Sequence, residues 1–228
     1  MTDYEGLART RLTQVKSTIA HSAKIAGRPP GDIALVAVSK TQSADAIAAL
    51  IAAGQRIFGE NRVSEAQAKF PALIAAHGAI ALHLVGQLQS NKADEAVALF
   101  DVIHSVDRSS LVSAIARATD KIGRQPRCFI QINIGNEPQK GGCAIADVAA
   151  LLRDARAAQL DIAGLMAVPP ANTEAAPYFA LLAKIARDHG LGGAESGLSI
   201  GMSNDYETAI MLGATHVRIG SALFGERE

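Results

Sequence analysis

The feature that most constrains the fold is a repeated alternation of short apolar runs with longer segments that carry apolar residues at helical spacing. No Ser/Pro-rich linker interrupts this alternation. Each predicted strand is followed by a helix or a terminal turn, and the eight strands lie at residues 33–40, 56–59, 82–85, 102–105, 128–133, 162–166, 197–200 and 216–219. The pattern predicts an α/β fold in which residues 1–228 form a single-domain (β/α)8 TIM barrel, with an open doubly wound sheet as the alternative.

An extra helix is predicted before the first strand. Apolar residues recur at helical spacing between residues 3 and 26, namely Leu7, Leu12, Val15, Ile19 and Ala23. The segment then reaches residues 27–31, which contain two prolines and two glycines. We therefore expect an opening helix followed by a turn.

The composition narrows the range of partners. The 228 residues include 22 basic and 22 acidic residues, and no run of lysine or arginine forms a basic track. Nucleic acid and anionic membrane surfaces are therefore not expected as partners. No apolar segment approaches the roughly 20 residues that a membrane span requires, and residues 1–5 do not begin a basic-then-apolar leader, so we expect a cytoplasmic protein.

The two cysteines, Cys128 and Cys143, are too few for a disulfide framework or a metal cluster. We expect both to be reduced and no metal to be bound.

The first apolar run ends abruptly in Ser39 and Lys40. A helix-like segment follows and stops at Gly54, which places Lys40 at the carboxyl end of a buried parallel strand, where α/β folds carry their chemistry. In apolar surroundings the ammonium form of a lysine is poorly hydrated, and the neutral amine can attack a carbonyl carbon. The alternative is a lysine that extends from the strand end to solvent.

The loops after strands seven and eight have the composition of a phosphate site. They contain Gly201, Ser203, Gly220 and Ser221. Barrels commonly bind phosphate in these two loops, because glycine lets backbone N–H groups approach and a helix N-terminus favours an anion. Alternatively, Ser203 is only the N-cap of a helix that begins near Asn204, and Gly220 is only a turn residue.

Polar residues also follow the second and fifth strands. Residues 59–61 could belong to the site or could cap the next helix, and Asn133 could simply tie down a loop.

An amine able to form an imine and a phosphate cradle are thus predicted on the same face of one barrel. A phosphorylated aldehyde satisfies both. Pyridoxal 5′-phosphate (PLP) supplies an aldehyde for Lys40 and a phosphate for Ser203 and Ser221.

Several sequence blocks also resemble the pyridoxal phosphate homeostasis protein family, known as YggS/PROSC, over nearly the entire chain. The blocks lie in the family's order at residues 36–40, 58–61, 83–92, 132–142, 164–166, 198–205 and 217–221. Two departures stand out, because Gln87 occupies a position where proline is common and Ser221 one where threonine is common.

The resemblance implies a barrel like the N-terminal domain of alanine racemase, with PLP held as a Schiff base on Lys40. It also implies phosphate contacts at Ser203, Gly220 and Ser221, and an arginine, Arg218, beside the pyridine nitrogen. Further residues in the matching blocks are assigned to cofactor binding, which are Asn61, His83 and Met202.

The chemistry of Arg218 favours a carrier of PLP over an enzyme. A permanently charged arginine beside the ring nitrogen favours its unprotonated form, so the ring stabilises a carbanion poorly. Alanine racemase uses a tyrosine from a second domain, and we expect no such domain in this chain. Its own tyrosines lie in predicted helices, and of Tyr4, Tyr178 and Tyr206 the last is nearest to a strand end.

We therefore expect a monomeric protein of PLP homeostasis without catalytic residues, which could pass PLP to apo-enzymes. The alternatives are a racemase-like enzyme that uses Lys40 as its base, and a Schiff-base aldolase without PLP.

Overall fold

The computed structural model describes residues 3–191 and 196–225. Eight parallel strands form a closed barrel in the order β1 to β8, so the predicted barrel is confirmed and the open sheet is wrong. The strands are β1 (Ala34–Val38), β2 (Ile57–Glu60), β3 (Ala81–Leu84), β4 (Val102–Val106), β5 (Arg127–Ile132), β6 (Ile162–Ala167), β7 (Gly197–Ser199) and β8 (His216–Ile219). The predicted extent of the single domain, 1–228, includes residues 1–2, 192–195 and 226–228, which lie outside the described residues. The prediction about a leader likewise includes residues 1 and 2.

Helices surround the barrel and connect its strands. They are α1 (Asp3–Ile25), α2 (Ala44–Ala52), α3 (Val63–His77), α4 (Ala93–Leu99), α5 (Ser109–Ile122), α6 (Val148–Ala157), α7 (Ala176–Asp188), α8 (Tyr206–Met211) and α9 (Ser221–Phe224). Within the described ranges, no helix has the length and apolar character needed to cross a membrane.

The extra helix α1 packs against α2, α8 and α9. The buried face of α1 differs from the prediction at one position. Leu7 is 52% exposed, and Ala8 is buried instead. The spacing explains the difference. Residue 8 precedes Leu12 by four positions and therefore shares its helix face, whereas residue 7 precedes it by five and is rotated away.

Two differences in helix boundaries follow from local hydrogen bonding and sequence. The predicted helix at 204–213 begins at Tyr206, because Asp205 folds back and its carboxylate accepts the N–H of Met202 at 2.6 Å. The helix predicted from residue 173 begins at Ala176, with Pro177 in its first turn, where proline is favoured.

Strand alternation separates two environments within the barrel wall. Leu35 and Ala37 belong to the large apolar core between the strands and the surrounding helices. Because successive side chains of a strand point to opposite faces, Val36 and Val38 face the barrel interior. Continuing this alternation past the end of β1 directs Lys40 toward the interior at the barrel mouth.

Replacing Gly164 with alanine is expected to destabilise the barrel strongly. Gly164 lies in β6 at φ +143°, and an added Cβ would lie 1.8 Å from the carbonyl oxygen of Gly197 in β7. Backbone strain and displacement of a strand together cost about 2–5 kcal/mol of unfolding free energy. Denaturant unfolding followed by circular dichroism measures this loss.

The matched control is Gly123→Ala, because Gly123 also has a positive φ (+73°) but has open space where the Cβ would lie. This variant should lose only the part of the unfolding free energy that backbone strain accounts for. Equal losses in the two variants would contradict the close approach of β6 and β7.

Candidate functional site

The candidate site lies at the barrel mouth, where the carboxyl ends of β1 and β8 are adjacent. Lys40 is half-buried two residues beyond β1 and is followed by Thr41, whose φ is +63°. Directly after the neighbouring strand β8, a Cβ on Gly220 would lie 3.5 Å from the carbonyl oxygen of Val38. The loop that carries Gly220 and Ser221 therefore passes close beside the strand that presents Lys40.

The loops after β7 and β8 contact each other. The backbone N–H of Ala222 donates to Ser203 Oγ at 3.4 Å, and the N–H of Arg218 donates to the carbonyl of Gly201 at 2.9 Å. Ser203 does not cap α8, because its N-cap is Asp205. The structure thus brings Ser203 and the segment 220–222 side by side near Lys40, as a shared phosphate site requires.

Arg218 lies deeper, inside the barrel. It pairs in register with Val36 of β1, and its side chain points inward while Val217 and Ile219 belong to the outer core. One guanidinium nitrogen donates to the carbonyl and the hydroxyl of Ser199 at 2.6 and 2.5 Å, and the other donates to the carbonyl of Ala167 at 3.0 Å.

These contacts make Arg218 a strong candidate for a ligand contact. Burial lowers its pKa to about 10, so it keeps its charge at neutral pH. In the described part of the chain no carboxylate lies within ion-pair distance of it. Three of the five N–H donors of a guanidinium are used by Ser199 and Ala167, which leaves two for an acceptor on a ligand.

A chain of hydrogen bonds links Arg218 to His83. His104 Nδ1 lies 2.8 Å from Ser199 Oγ, and His104 Nε2 lies 2.9 Å from His83 Nδ1. Because Ser199 Oγ accepts from Arg218, its own hydrogen can go to His104 Nδ1. His104 Nε2 then donates to His83 Nδ1, and His83 keeps its hydrogen on Nε2.

Burial keeps these histidines neutral. It lowers the pKa of His83 to about 3 and that of His216 to about 4, and it holds the pKa of His104 well below the usual range. At neutral pH Arg218 is therefore charged, whereas these three histidines are neutral. Sequence reasoning selected His83 but missed Ser199, His104 and His216. Their strand positions could have revealed them, because His216 shares the inward face of β8 with Arg218.

Asn61 and Met202, which were also predicted to bind the cofactor, lie differently. Asn61 is half-buried after β2, in contact with the next loop, since a Cβ on Gly86 would lie 2.3 Å from the Asn61 carbonyl oxygen. The side chain of Met202 is 39% exposed. The structure therefore places Asn61 in the wall of the mouth, whereas Met202 is partly exposed to solvent.

The opposite wall of the mouth is formed by polar contacts between loops. Gln87 Nε2 donates to Gln131 Oε1 at 2.6 Å, and Gln131 Nε2 donates to the carbonyl of Gly141 at 3.1 Å. Asn133 donates to the carbonyls of Glu137 and Lys140 and accepts the N–H of Glu137. The interpretation of Asn133 as a residue that ties down its loop is therefore confirmed.

Neither cysteine contributes a reactive group to this site. Cys128 and Cys143 are buried free thiols, and burial raises the pKa of each to about 12. Residues 3–191 and 196–225 contain no cluster of three or more His, Cys, Asp or Glu side chains arranged to bind a metal ion.

Comparisons with known proteins agree with this geometry. Residues 11–228 match the family described as alanine racemase, N-terminal domain. The pyridoxal phosphate homeostasis protein of Pseudomonas aeruginosa is 39% identical over 222 residues, which cover 95% of this chain and 94% of that protein. Its counterpart in Escherichia coli is 37% identical over 228 residues, with 95% of each chain covered.

A solved structure gives the same result. PipY of Synechococcus elongatus with PLP bound is 39% identical, with a TM-score of 0.79, and the match covers 91% of this chain and 100% of that one. The resemblance found in the sequence motifs is confirmed. Because these matches span nearly the whole length of both chains, the protein belongs to the pyridoxal phosphate homeostasis protein family, which is built on the alanine racemase N-terminal domain.

Proposed function

We propose that this protein binds PLP at the barrel mouth through an imine with Lys40 and acts in PLP homeostasis as a carrier. The observation that carries the proposal is the proximity of three features, which are Lys40 beyond β1, the paired loops of Ser203 and Ser221, and the buried cation Arg218. Two relatives at 37–39% identity, both named pyridoxal phosphate homeostasis protein, support it, as does the PLP-bound structure of PipY.

The loops after β7 and β8 fit a phosphate. Glycine and serine contribute small side chains there, so backbone N–H groups and hydroxyls can reach an anion. Gly201 has a φ of +91°, and a Cβ at this position would lie 2.6 Å from the Ala209 Cβ, so a larger residue would displace the start of the loop. The phosphate would then lie between Ser203 and Ser221.

Arg218 fits a pyridine nitrogen that carries no proton. A guanidinium only donates hydrogen bonds, so it pairs with the lone pair of an unprotonated ring nitrogen and cannot accept from a protonated one. The contacts to Ser199 and Ala167 hold the guanidinium in place and leave donors for this acceptor.

Bound PLP supplies an aldehyde that condenses with amines and a ring that withdraws electrons best when its nitrogen is protonated. Arg218 opposes that protonation, so the residues of this chain favour reversible storage over chemistry at a substrate. We further propose that the protein is a cytoplasmic monomer that exchanges PLP with apo-enzymes. We propose neither a membrane nor a nucleic acid as a partner of this protein.

The second candidate is a racemase-like enzyme with Lys40 as its base, which is favoured by the match to the alanine racemase N-terminal domain.

Purified protein that is yellow and bleaches with borohydride would support bound PLP. It would also eliminate an aldolase that acts on a sugar phosphate without PLP. Mixing the PLP-loaded protein with a PLP-requiring apo-enzyme, and following recovery of that enzyme's activity, tests the role as a carrier.

Substitution of either cradle serine by alanine is expected to weaken PLP binding. A charge-assisted hydrogen bond to phosphate contributes about 1.5–3 kcal/mol, so Ser203→Ala or Ser221→Ala should raise the Kd for PLP by roughly one to two decades. Equilibrium titration followed by PLP absorbance measures the Kd. Ser110→Ala, an exposed residue of α5, is the control. Unchanged Kd values in both single variants and in the double variant would remove these serines from the site.

A further inference from the structure

A buried ion cluster lies outside the barrel, directly behind Lys40. Lys69 of α3 contacts Glu60 Oε1 at 2.7 Å and Glu65 Oε1 at 2.8 Å, and its side chain is only 12% exposed. Ser39 Oγ also donates to Glu60 Oε1 at 2.7 Å. We call Lys69, Glu60 and Glu65 the Lys69 cluster.

The Lys69 cluster holds the backbone on both sides of Lys40. The ammonium group of Lys69 donates to the carbonyl of Ser39 at 2.9 Å, and Glu65 Oε1 accepts the N–H of Thr41 at 2.5 Å. These two groups belong to the peptide units before and after Lys40. The position of the Lys40 Cα is therefore fixed by contacts with α3, on the side of the barrel wall away from the mouth.

The backbone at this turn needs such support. Thr41 has a φ of +63°, a left-handed conformation that is strained for a β-branched residue. A conformation of this kind persists only where surrounding contacts impose it, and it is common at functional sites. The bond from the Thr41 N–H to Glu65 is the contact that links this residue to α3.

The charges of the Lys69 cluster make the ammonium group essential to it. Two carboxylates share one lysine, and Glu60 is fully buried with no partner in the described structure for its Oε2 atom. Burial raises the pKa of Glu60, and hydrogen bonds from Lys69 and Ser39 act against this rise. Without Lys69 the two carboxyl groups would lose their shared cation, and the acceptor for Thr41 would lose its anchor.

We propose that Lys69 is a positioning residue, which sets through Ser39 and Thr41 the direction from which Lys40 meets the aldehyde of PLP. The proposal rests on the function proposed above, because it concerns how Lys40 is presented. Lys69 itself lies behind the strand and touches no group at the mouth in this scheme.

The test compares Lys69→Met, Lys69→Arg and a matched control. Lys184→Met is that control, because Lys184 and Asp188 also form an i, i+4 ion pair, which is exposed. Lys69→Met should slow imine formation with PLP, measured by stopped-flow absorbance, by roughly 10- to 100-fold, since a small misplacement of a reacting group has effects of this size. Lys69→Arg, which keeps the charge and the donors, should recover much of the rate, and Lys184→Met should match the wild type.

A second measurement needs no PLP and so separates this proposal from the proposed function. Amide hydrogen exchange of Thr41, followed by NMR in the protein without PLP, should be slow in the wild type and in Lys184→Met and fast in Lys69→Met. If Lys69→Met does not fold, Glu65→Gln, which keeps the size but removes the charge of the acceptor, should show the same two effects in weaker form.

The outcomes are distinct. Wild-type rates of imine formation and wild-type exchange at Thr41 in Lys69→Met would overturn the positioning role, whatever the wild-type protein does with PLP. The wild type could instead form no imine with Lys40 while Lys69→Met still shows fast exchange at Thr41. That combination would support the link between Lys69 and the Thr41 backbone and would overturn the proposed function. Failure of Lys69→Arg to restore either readout would also overturn the positioning role.

Discussion

Reduction of the PLP-loaded protein with borohydride is expected to fix one pyridoxyl phosphate on each chain, at Lys40, and Lys40→Ala should abolish the adduct. Hydride adds to the carbon of the C=N bond and converts the imine to a stable secondary amine, which survives unfolding and digestion. Intact mass followed by peptide mapping therefore identifies the nitrogen that had formed the imine.

Two structural features direct this reaction to Lys40. Alternation along β1 turns Lys40 toward the interior at the mouth, and Gly220 brings the phosphate loops against the end of the same strand. Lys121 supplies the control, since it is exposed on α5, where it pairs with Asp94, so Lys121→Ala should keep the full adduct. An adduct on another lysine, with Lys40 unmodified, would overturn the assignment.

Lys40→Ala should still bind some PLP reversibly. The phosphate cradle and the imine are separate sources of affinity, and the variant removes only the second. Dialysis should therefore strip PLP from Lys40→Ala faster than from the wild type. The absence of a covalent adduct after reduction, together with residual binding at equilibrium, is the expected combination.

The sequence predicted the barrel because each strand is a short apolar run and each connection is helical. It also predicted the position of Lys40, since a polar residue that ends a buried run must lie at a strand end. The paired loops of Ser203 and Ser221 followed from their places after strands seven and eight. In these cases a local pattern was sufficient to favour the barrel over an open sheet, and the structure shows that the sheet closes.

Other features depend on contacts between distant segments, which a pattern does not show. Glu65 and Lys69 look like an ordinary pair on the solvated face of a helix, yet together they hold the turn of Lys40. The reading of residues 59–61 as a helix cap was wrong, because the N-cap of α3 is Arg62 and Glu60 belongs to the Lys69 cluster. Register across the closed barrel decides such contacts, and a single sequence does not give that register.

The same limit applies to the barrel interior. Alternation along their strands could have placed His104 and His216 on the inward face, but only the structure shows that their rings lie 5.8 Å apart, near Arg218. This arrangement bears on function. The neutral His83 and His104 extend the hydrogen bonds of Ser199, which holds Arg218. Among the described residues, no carboxylate forms an ion pair with this guanidinium.

The position of the tyrosines also argues for a carrier. Tyr206 is buried in the outer core, where a Cβ on Gly201 would lie 3.0 Å from its Cα, so it packs between α8 and the barrel wall. Tyr178 lies in α7, partly buried against the same core. The side chain of Tyr4 lies outside the described residues. Both described tyrosines therefore pack against the outer core, and neither is assigned to the proposed site.

No protein-dependent exchange of the Cα proton is expected when L-alanine is incubated with the PLP-loaded protein in deuterated water. Racemisation removes a proton from one face of Cα and returns one to the other face, which normally takes two bases on opposite sides. The proposed site assigns Lys40 as one such base and assigns no second one. In the proposed binding mode Arg218 would also keep the ring nitrogen unprotonated, so the electron pair left on Cα would be poorly stabilised.

Mass spectrometry of the recovered alanine measures the uptake of deuterium, and chiral chromatography measures any D-alanine formed. The first control is alanine incubated with free PLP at the same concentration, which exchanges its Cα proton slowly without protein. The second control is Lys40→Ala, because activity from a contaminating racemase would persist in that variant. Uptake equal to that of free PLP supports the carrier. Uptake that exceeds it in the wild type and disappears in Lys40→Ala would show that Lys40 moves the proton, and the racemase-like function would then replace the carrier as the best account of this site.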